Sequence, residues 1–316
     1  MYYIGIDLGG TNIAAGICDE KGNIIIKDSI PTMKERDISE IVNDMVSISE
    51  RLVKQSGIAP FDIKAVGIGS PGTINNENGV VVYANNLSMD HYPLANEFKT
   101  RFSLDVPVNL ENDANAAALG EYICSGANSK SFVFITLGTG VGGGIIIDGK
   151  IYRGFNGTGA EIGHQMLVYG GKSCCCGRLG CYEAYASVTA LVEQTKEAMV
   201  AHPESQMNAW AKERGKVNGR CAFECAAMGD KAATEVRDQY IEYVAAGICS
   251  LVTIIQPEIL AIGGGISREG DVLLAPIKNY LQKFDFNRGV PATDVRIAKL
   301  FGDAGIVGAA ASAMNL

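Results

Sequence analysis

The opening stretch YYIGIDLGGTNIAAGICDEKGNIIIKDSI sets apolar runs between glycine-bearing breaks. Two apolar strands flank Gly9-Gly10, and Lys21-Gly22-Asn23 turns into a third, which predicts a three-stranded meander. Residues 37–56 repeat apolar positions at three-to-four spacing, as an amphipathic helix does. The buried-strand pattern IKAVGIGS follows, then a turn in PGTINNENG. Residues 90–101 predict a further helix, VPVNLEND a strand ending in polar side chains, and ANAAALGEY a helix starting beside them. That order is α/β.

The pattern then returns. SFVFITLGTGVGGGIIIDGKIY aligns with the opening so that Leu8-Gly9-Gly10 meets Leu137-Gly138-Thr139 and Asp19 meets Asp148. Two such copies predict duplicated α/β halves facing one another across a cleft; chance likeness between glycine hairpins is the alternative. Residues 184–246 read as mostly helical, interrupted by HPESQ and ERGKVNG. A third glycine turn ends the apolar run IIQPEILAIGGGIS, and FGDAGIVGAAASAM reads as a turn and a small-residue helix. The expected boundary lies near 120, with a small lobe over 1–120 joined by the C-terminal helix 303–316, and a large lobe over 121–302.

Charge narrows the function classes. The 316 residues carry 27 basic and 35 acidic side chains, a net −8 that argues against binding nucleic acid by broad phosphate neutralisation. The N-terminus runs straight into a strand without the basic and apolar regions of a secretory signal, and no apolar run matches a membrane span. A cytoplasmic enzyme without nucleic-acid or membrane partners is the expectation, and the odd count of nine cysteines argues against a disulfide framework.

Four of those cysteines fall within GHQMLVYGGKSCCCGRLGCYE, residues 163–183. His164, Cys174, Cys176 and Cys181 supply one imidazole and three thiolates, a set suited to a closed, structural Zn2+ site. Alternation along an extended segment turns Cys175 away, although spacing leaves the choice among the three neighbours open. A redox site and plain buried thiols are the other readings. A closed site has no place for water, so the ion would hold a loop, fixing Glu161 and Glu183 relative to one another.

With DLGGTN at 7–12, GSPGTI at 69–74, LENDANAAALGE at 110–121, TLGTGVGGG at 136–144, GAEIGH at 159–164, CCCGRLGCYEAYAS at 174–187 and IGGG at 262–265, the chain resembles the ROK family of bacterial sugar kinases and repressors. The resemblance implies an actin-like ATPase (ribonuclease-H-like) fold of two lobes with an interlobe cleft, an ATP and Mg2+ site, and phosphoryl transfer to the 6-hydroxyl of a hexose. It makes Asp113 the catalytic base; from position alone Asp113 is equally a helix cap. It turns Asn86, Asn112, Glu161, His164 and Glu183 toward the sugar, with His164 serving both sugar and zinc. Gly72 either lets the chain pass close to the sugar or only shapes a turn.

Nucleotide contacts are implied for Asp7, Gly9, Gly10, Thr11 and Asn12, for Gly138, Thr139 and Gly140, and for Gly264 and Gly265, with Asp7 near Mg2+. Neither glycine turn has the spacing of a Walker or dinucleotide motif. The retained Glu161, His164 and Glu183 favour an aldohexose such as glucose. Kinases of N-acetylmannosamine, N-acetylglucosamine or fructose, and a non-catalytic sugar sensor, are the alternatives. Ser88-Met89 stands where many glucokinase-like members have a tryptophan nearby, which leaves one wall of the sugar pocket open. The first motif begins at residue 4, leaving no room for a preceding DNA-binding domain. A homodimer, or a tetramer, is implied.

Overall fold

The computed structural model describes residues 1–284, 286 and 289–314. The meander forms as its alternation predicts: β1 (Tyr2–Leu8) pairs antiparallel with β2 (Asn12–Asp19), and β2 with β3 (Ile24–Pro31). Asp37 caps α1 (Ile38–Ser56) by accepting from Ser39 N, and Gly57 ends it at φ 69°. Its Ile41, Met45, Ile48 and Leu52 are fully buried, as the spacing requires. β4 (Ile63–Ser70) lies parallel to β1.

The next segment departs from the sequence expectation. β5 (Thr73–Asn75), β6 (Val80–Ala84) and β7 (Met89–Tyr92) form a three-stranded antiparallel sheet, and β7 takes the first residues of the helix expected over 90–101. α2 is confined to Leu94–Lys99. Pro93 disfavours helical backbone at Tyr92 and itself starts a helix readily, so the helix begins after it. β8 (Val108–Asn112) then lies parallel to β4 and runs directly into α3 (Asp113–Ser125), completing a first sheet of order β3-β2-β1-β4-β8.

β9 (Ser131–Leu137), β10 (Val141–Ile147), β11 (Lys150–Ile151), β12 (Ile259–Gly263) and β13 (Asp294–Ile297) form a second sheet of order β11-β10-β9-β12-β13. β1 ends at Leu8 and β9 at Leu137, while β2 begins at Asn12 and β10 at Val141, so the two glycine turns hold equivalent places. The helical stretch resolves into α4 (Glu183–Ala186), α5 (Val188–Ala201), α6 (Gln206–Arg214), α7 (Arg220–Ala227) and α8 (Lys231–Ile255). Besides the two expected breaks there are two more, at Ser187 and at Met228–Asp230. Asp230 there accepts from Ala233 N at 2.8 Å and from Gln206 N at 2.6 Å, serving the first turns of two helices. Ile254 and Ile255 finish α8, and Pro257 separates them from β12. After α9 (Asp271–Phe284) and β13 comes α10 (Ala304–Ser312). Asp285, Asn287 and Arg288 of the expected large lobe, and Asn315 and Leu316 of the expected 303–316 helix, lie outside the described residues.

Contacts gather into two compact units: Met1–Phe134, Gly143–Ala160 and Lys299–Leu316 in one, Ile135–Gly142 and Glu161–Ala298 in the other. The position near 120 falls inside α3, and α10 belongs to the first unit. There α10 approaches its neighbours backbone to backbone. A Cβ on Gly67 would lie 1.7 Å from Ala309 O, one on Gly5 1.9 Å from Ile306 O, and one on Gly308 1.5 Å from Ala116 O. Gly308→Ala is therefore expected to cost more than about 3 kcal/mol, because overpacking here meets backbone and not a movable side chain. Gly302→Ala, with nothing within 4 Å of its Cβ, should change stability by less than about 0.5 kcal/mol. Urea unfolding of the two variants checks both.

Candidate active site

In the first unit the functional residues gather at the C-terminal ends of β1, β4 and β8. Asn112, the last residue of β8, caps α3: its Oδ1 accepts from Ala114 N at 3.0 Å and Asn115 N at 3.1 Å. Its Nδ2 donates to Gly72 O at 3.2 Å. Asp113 is the first residue of the helix, so the cap is already provided by its neighbour, although its own Oδ1 accepts from Ala114 N at 2.8 Å. The helix-capping reading of Asp113 thus passes to Asn112. Gly72 has φ 99° and a virtual Cβ 2.2 Å from Tyr83 O, so only glycine fits this turn.

Asp7, half-buried near the end of β1, packs against α10, where a Cβ on Gly305 would meet its Oδ2 at 2.3 Å. Burial, and then the neighbouring Asp113 charge, push the Asp7 carboxyl up to about 6. Burial also pushes Asp113 up, against the pull of Ala114 N–H. Two carboxylates raised in this way make a fitting place for a divalent cation, which would favour both charged forms. Gly9 N donates to Asn12 O at 3.0 Å and closes the turn, while Thr11 and Asn12 are exposed. Asn86, also exposed, places Nδ2 3.7 Å from where a Gly10 Cβ would stand.

In the second unit the cysteine loop folds back on itself. Gly177 at φ 84° and Gly180 at φ 81° make its bends, and Leu167 N donates to Gly180 O at 2.8 Å. The ligand atoms of His164, Cys174, Cys176 and Cys181 all lie within 4.8 Å of one another. His164 Nδ1 is 3.6 Å from Cys174 Sγ, and Cys176 Sγ is 3.6 Å from Cys181 Sγ. A tetrahedron with zinc–sulfur and zinc–nitrogen bonds of ordinary length has edges of about 3.6–3.8 Å, so the four residues fit Zn2+. Burial pushes the Cys181 thiol up to about 12, whereas hydrogen bonds from Arg178 draw Cys176 down to about 6. Cys175 points elsewhere, its Sγ donating to Glu183 Oε1 at 3.2 Å.

Tyr182 anchors this loop: it is fully buried, its hydroxyl donates to Val244 O at 2.9 Å, and Gly247 leaves room for its ring. Cys181 and Glu183 flank it, so one buried ring sets both. Glu183 Oε2 accepts from Val141 N at 2.9 Å, and a Cβ on Gly140 would lie 2.3 Å from that oxygen. The Gly138-Thr139-Gly140 turn meets the start of α5, where Val188 N donates to Gly138 O at 2.8 Å and Thr189 Oγ1 to Thr139 O at 2.7 Å. Gly264, at φ 84°, sits against Leu137 O, while Gly265 faces open space. Glu161 precedes the single turn that carries His164, whose N donates to Glu161 O at 3.0 Å.

A family model described as the ROK family matches residues 3–315. The chain belongs to the ROK family. A glucokinase of Streptomyces coelicolor is 39% identical over 312 residues, covering 97% of this chain and 96% of that protein. Among solved structures, a ROK family glucokinase from Streptomyces griseus in complex with glucose and AMPPNP is 36% identical, with TM-score 0.85 and all of both chains covered. The ROK hexokinase of Thermus thermophilus is 33% identical, with TM-score 0.80 over 99% of this chain and 98% of that one. The fold is therefore the actin-like ATPase fold of two lobes. Sequence reasoning passed over two residues beside this site, Glu111 and Arg153, whose side chains pair; the acidic Glu111 next to the end of β8 was the available signal.

The raised Asp7 fixes a pH dependence. Its carboxyl is protonated in the folded chain up to about pH 6 but only to about 3.8 when unfolded, so stability falls as pH rises through that window. Asp7→Asn removes the charge: the metal-free protein should gain about 1–2 kcal/mol at pH 8 and nothing at pH 4, read by thermal unfolding at both pH values.

Proposed function

We propose that this chain is an ATP-dependent hexose kinase that transfers the γ-phosphoryl group to the 6-hydroxyl of glucose. The observation that carries the reading is the junction of β8 and α3, where Asn112 serves as the cap and Asp113 stands at a strand end with its carboxyl raised. A hydroxyl is a weak nucleophile, and a carboxylate accepting its proton as the phosphorus–oxygen bond forms is the solution kinases use. The relative with glucose and AMPPNP bound, alike over the whole chain, supports the substrates.

Asn86, Asn112, Glu161, His164 and Glu183 would then hold sugar hydroxyls, each offering a donor or acceptor of fixed direction. With Nδ1 of His164 turned to the sulfur cluster, its Nε2 is the nitrogen left for the sugar. The two glycine turns and the start of α5 would present backbone N–H groups to phosphate oxygens, with Gly264 and Gly265 bordering the nucleoside. Mg2+, held near Asp7, would neutralise charge on the transferring group. Zn2+ in the His164–Cys181 clip would carry no chemistry and hold Glu161, His164 and Glu183 in register.

A cytoplasmic homodimer completes the proposal. Among the described residues no helix is long and apolar enough to cross a membrane, and the exposed Met166, Tyr169 and Leu179 of the zinc loop suit a contact between copies.

A coupled ATP-to-ADP assay with mass detection across glucose, mannose, fructose, N-acetylglucosamine and N-acetylmannosamine should show glucose 6-phosphate as the main product. Preference for an N-acetylated sugar or fructose would reassign the substrate, and no product from any sugar would leave a sensor. Asp113→Asn should lower kcat by about 10²–10⁴-fold while glucose binding and thermal stability hold. A helix-capping role would instead move stability, which here follows Asn112→Ala at about 1 kcal/mol. Cys176→Ser is expected to release zinc and lower Tm, with glucose KM rising more than ATP KM; unchanged metal content and Tm would rule out the clip.

A further inference from the structure

Glu111, next to last in β8, is a carboxylate only 1% exposed. Its Oε1 accepts from Asn112 N at 3.0 Å and Asn115 Nδ2 at 3.4 Å. Its Oε2 accepts from Arg153 Nε at 3.1 Å and from Arg153 Nη2. Arg153 reaches it from the segment after β11, where Arg153 O accepts from Gly159 N at 2.8 Å and Gly154, at φ 70°, packs on Gly159. Residues 153–159 thus close into a loop whose first residue is tied to the helix start, and Glu161 lies two residues beyond it.

Only the carboxylate of this pair is buried, Arg153 being 37% exposed, and an apolar pair of similar volume would hold the fold about as well. What an apolar pair lacks is an acceptor for Asn112 N. That backbone group belongs to the residue that caps α3 and immediately precedes Asp113, so its position sets where the Asp113 carboxylate points. We infer that Glu111 and Arg153 form a positioning pair that aims the catalytic base Asp113 by fixing the backbone at the strand-to-helix junction. The inference rests on the kinase reading with Asp113 as base. Neither residue touches the reacting atoms; both act through Asn112 and the loop that Arg153 closes.

Three variants of the full chain test it: Arg153→Met, the double variant Glu111→Met with Arg153→Met, which leaves no acceptor for Asn112 N, and Arg153→Lys, each measured for Tm, kcat and both KM values. Arg153→Met strands a buried carboxylate, so Tm and kcat should both fall, kcat by about tenfold or more with each KM within about threefold. The double variant removes the stranded charge and should regain Tm while keeping the kcat loss. Arg153→Lys keeps the charge without the two-nitrogen contact and should hold Tm while losing kcat by about threefold or more. If kcat returns together with Tm in the double variant, the pair only supports the fold and the inference is wrong. Wild-type kcat in Arg153→Lys refutes it equally. A wild-type enzyme without turnover on any hexose brings down the kinase reading and this inference with it, whereas an active wild type with undiminished variants brings down the inference alone.

Discussion

Backbone-to-backbone packing of α10 is the constraint from which the first unit takes its geometry. Glycines at 5, 67, 120 and 308 remove the side chains that would hold that helix off β1, β4 and α3, and residues 304–311 are buried without exception. The sheet and the two helices can therefore meet in only one way. Asp7 at the end of β1 is pressed against Gly305, and Asp113 at the start of α3 stands over Gly69, so the places of both carboxylates follow from where α10 sits. Even the entry to that helix is fixed by a buried acid: Glu121 accepts from Lys299 N at 2.7 Å and Leu300 N at 3.0 Å. Close packing of this kind resists the small displacements that catalysis tolerates least.

The second unit uses a different device for the same purpose. Val141 is the meeting point: its N donates to Glu183, and its carbonyl leaves no room for a side chain on Gly163. Glu183 is held from the other direction by fully buried Tyr182, next to Cys181 of the His/Cys cluster. The segment carrying His164 and the turn Gly138–Gly140 are thereby referred to one residue. The loop between 164 and 181 is largely exposed and leaves its apolar side chains outside the core, so the His164–Cys181 cluster is where a cross-link would serve it.

Much of this was legible in the residues. The duplicated strand–turn–strand unit, the start of α3 and the gathering of His164, Cys174, Cys176 and Cys181 each rest on local patterns, and local patterns survive folding. The helix expected over 90–101 was misplaced because the alternation in β7 is short and Pro93 was not used as a boundary. Position left capping open as a second reading of Asp113, since Asn and Asp both cap well and only side-chain direction shows that Asn112 is the cap. The partnership of Glu111 and Arg153 joins residues forty-two apart, and no spacing rule connects them.

Function in this fold cannot be read from the backbone, since the same architecture can bind a sugar without acting on it. A sensor needs directed contacts to hydroxyls and nothing more. It has no use for a second carboxylate, raised by burial, beside a helix start that its neighbour already caps. Keeping Asp7 and Asp113 together costs stability above pH 6 in the absence of a cation, and the fold offsets that cost with the packing of α10. A pair of acids held in place by glycine packing suits a site where a hydroxyl would lose its proton beside a bound metal–phosphate, and on this pair the kinase reading rests.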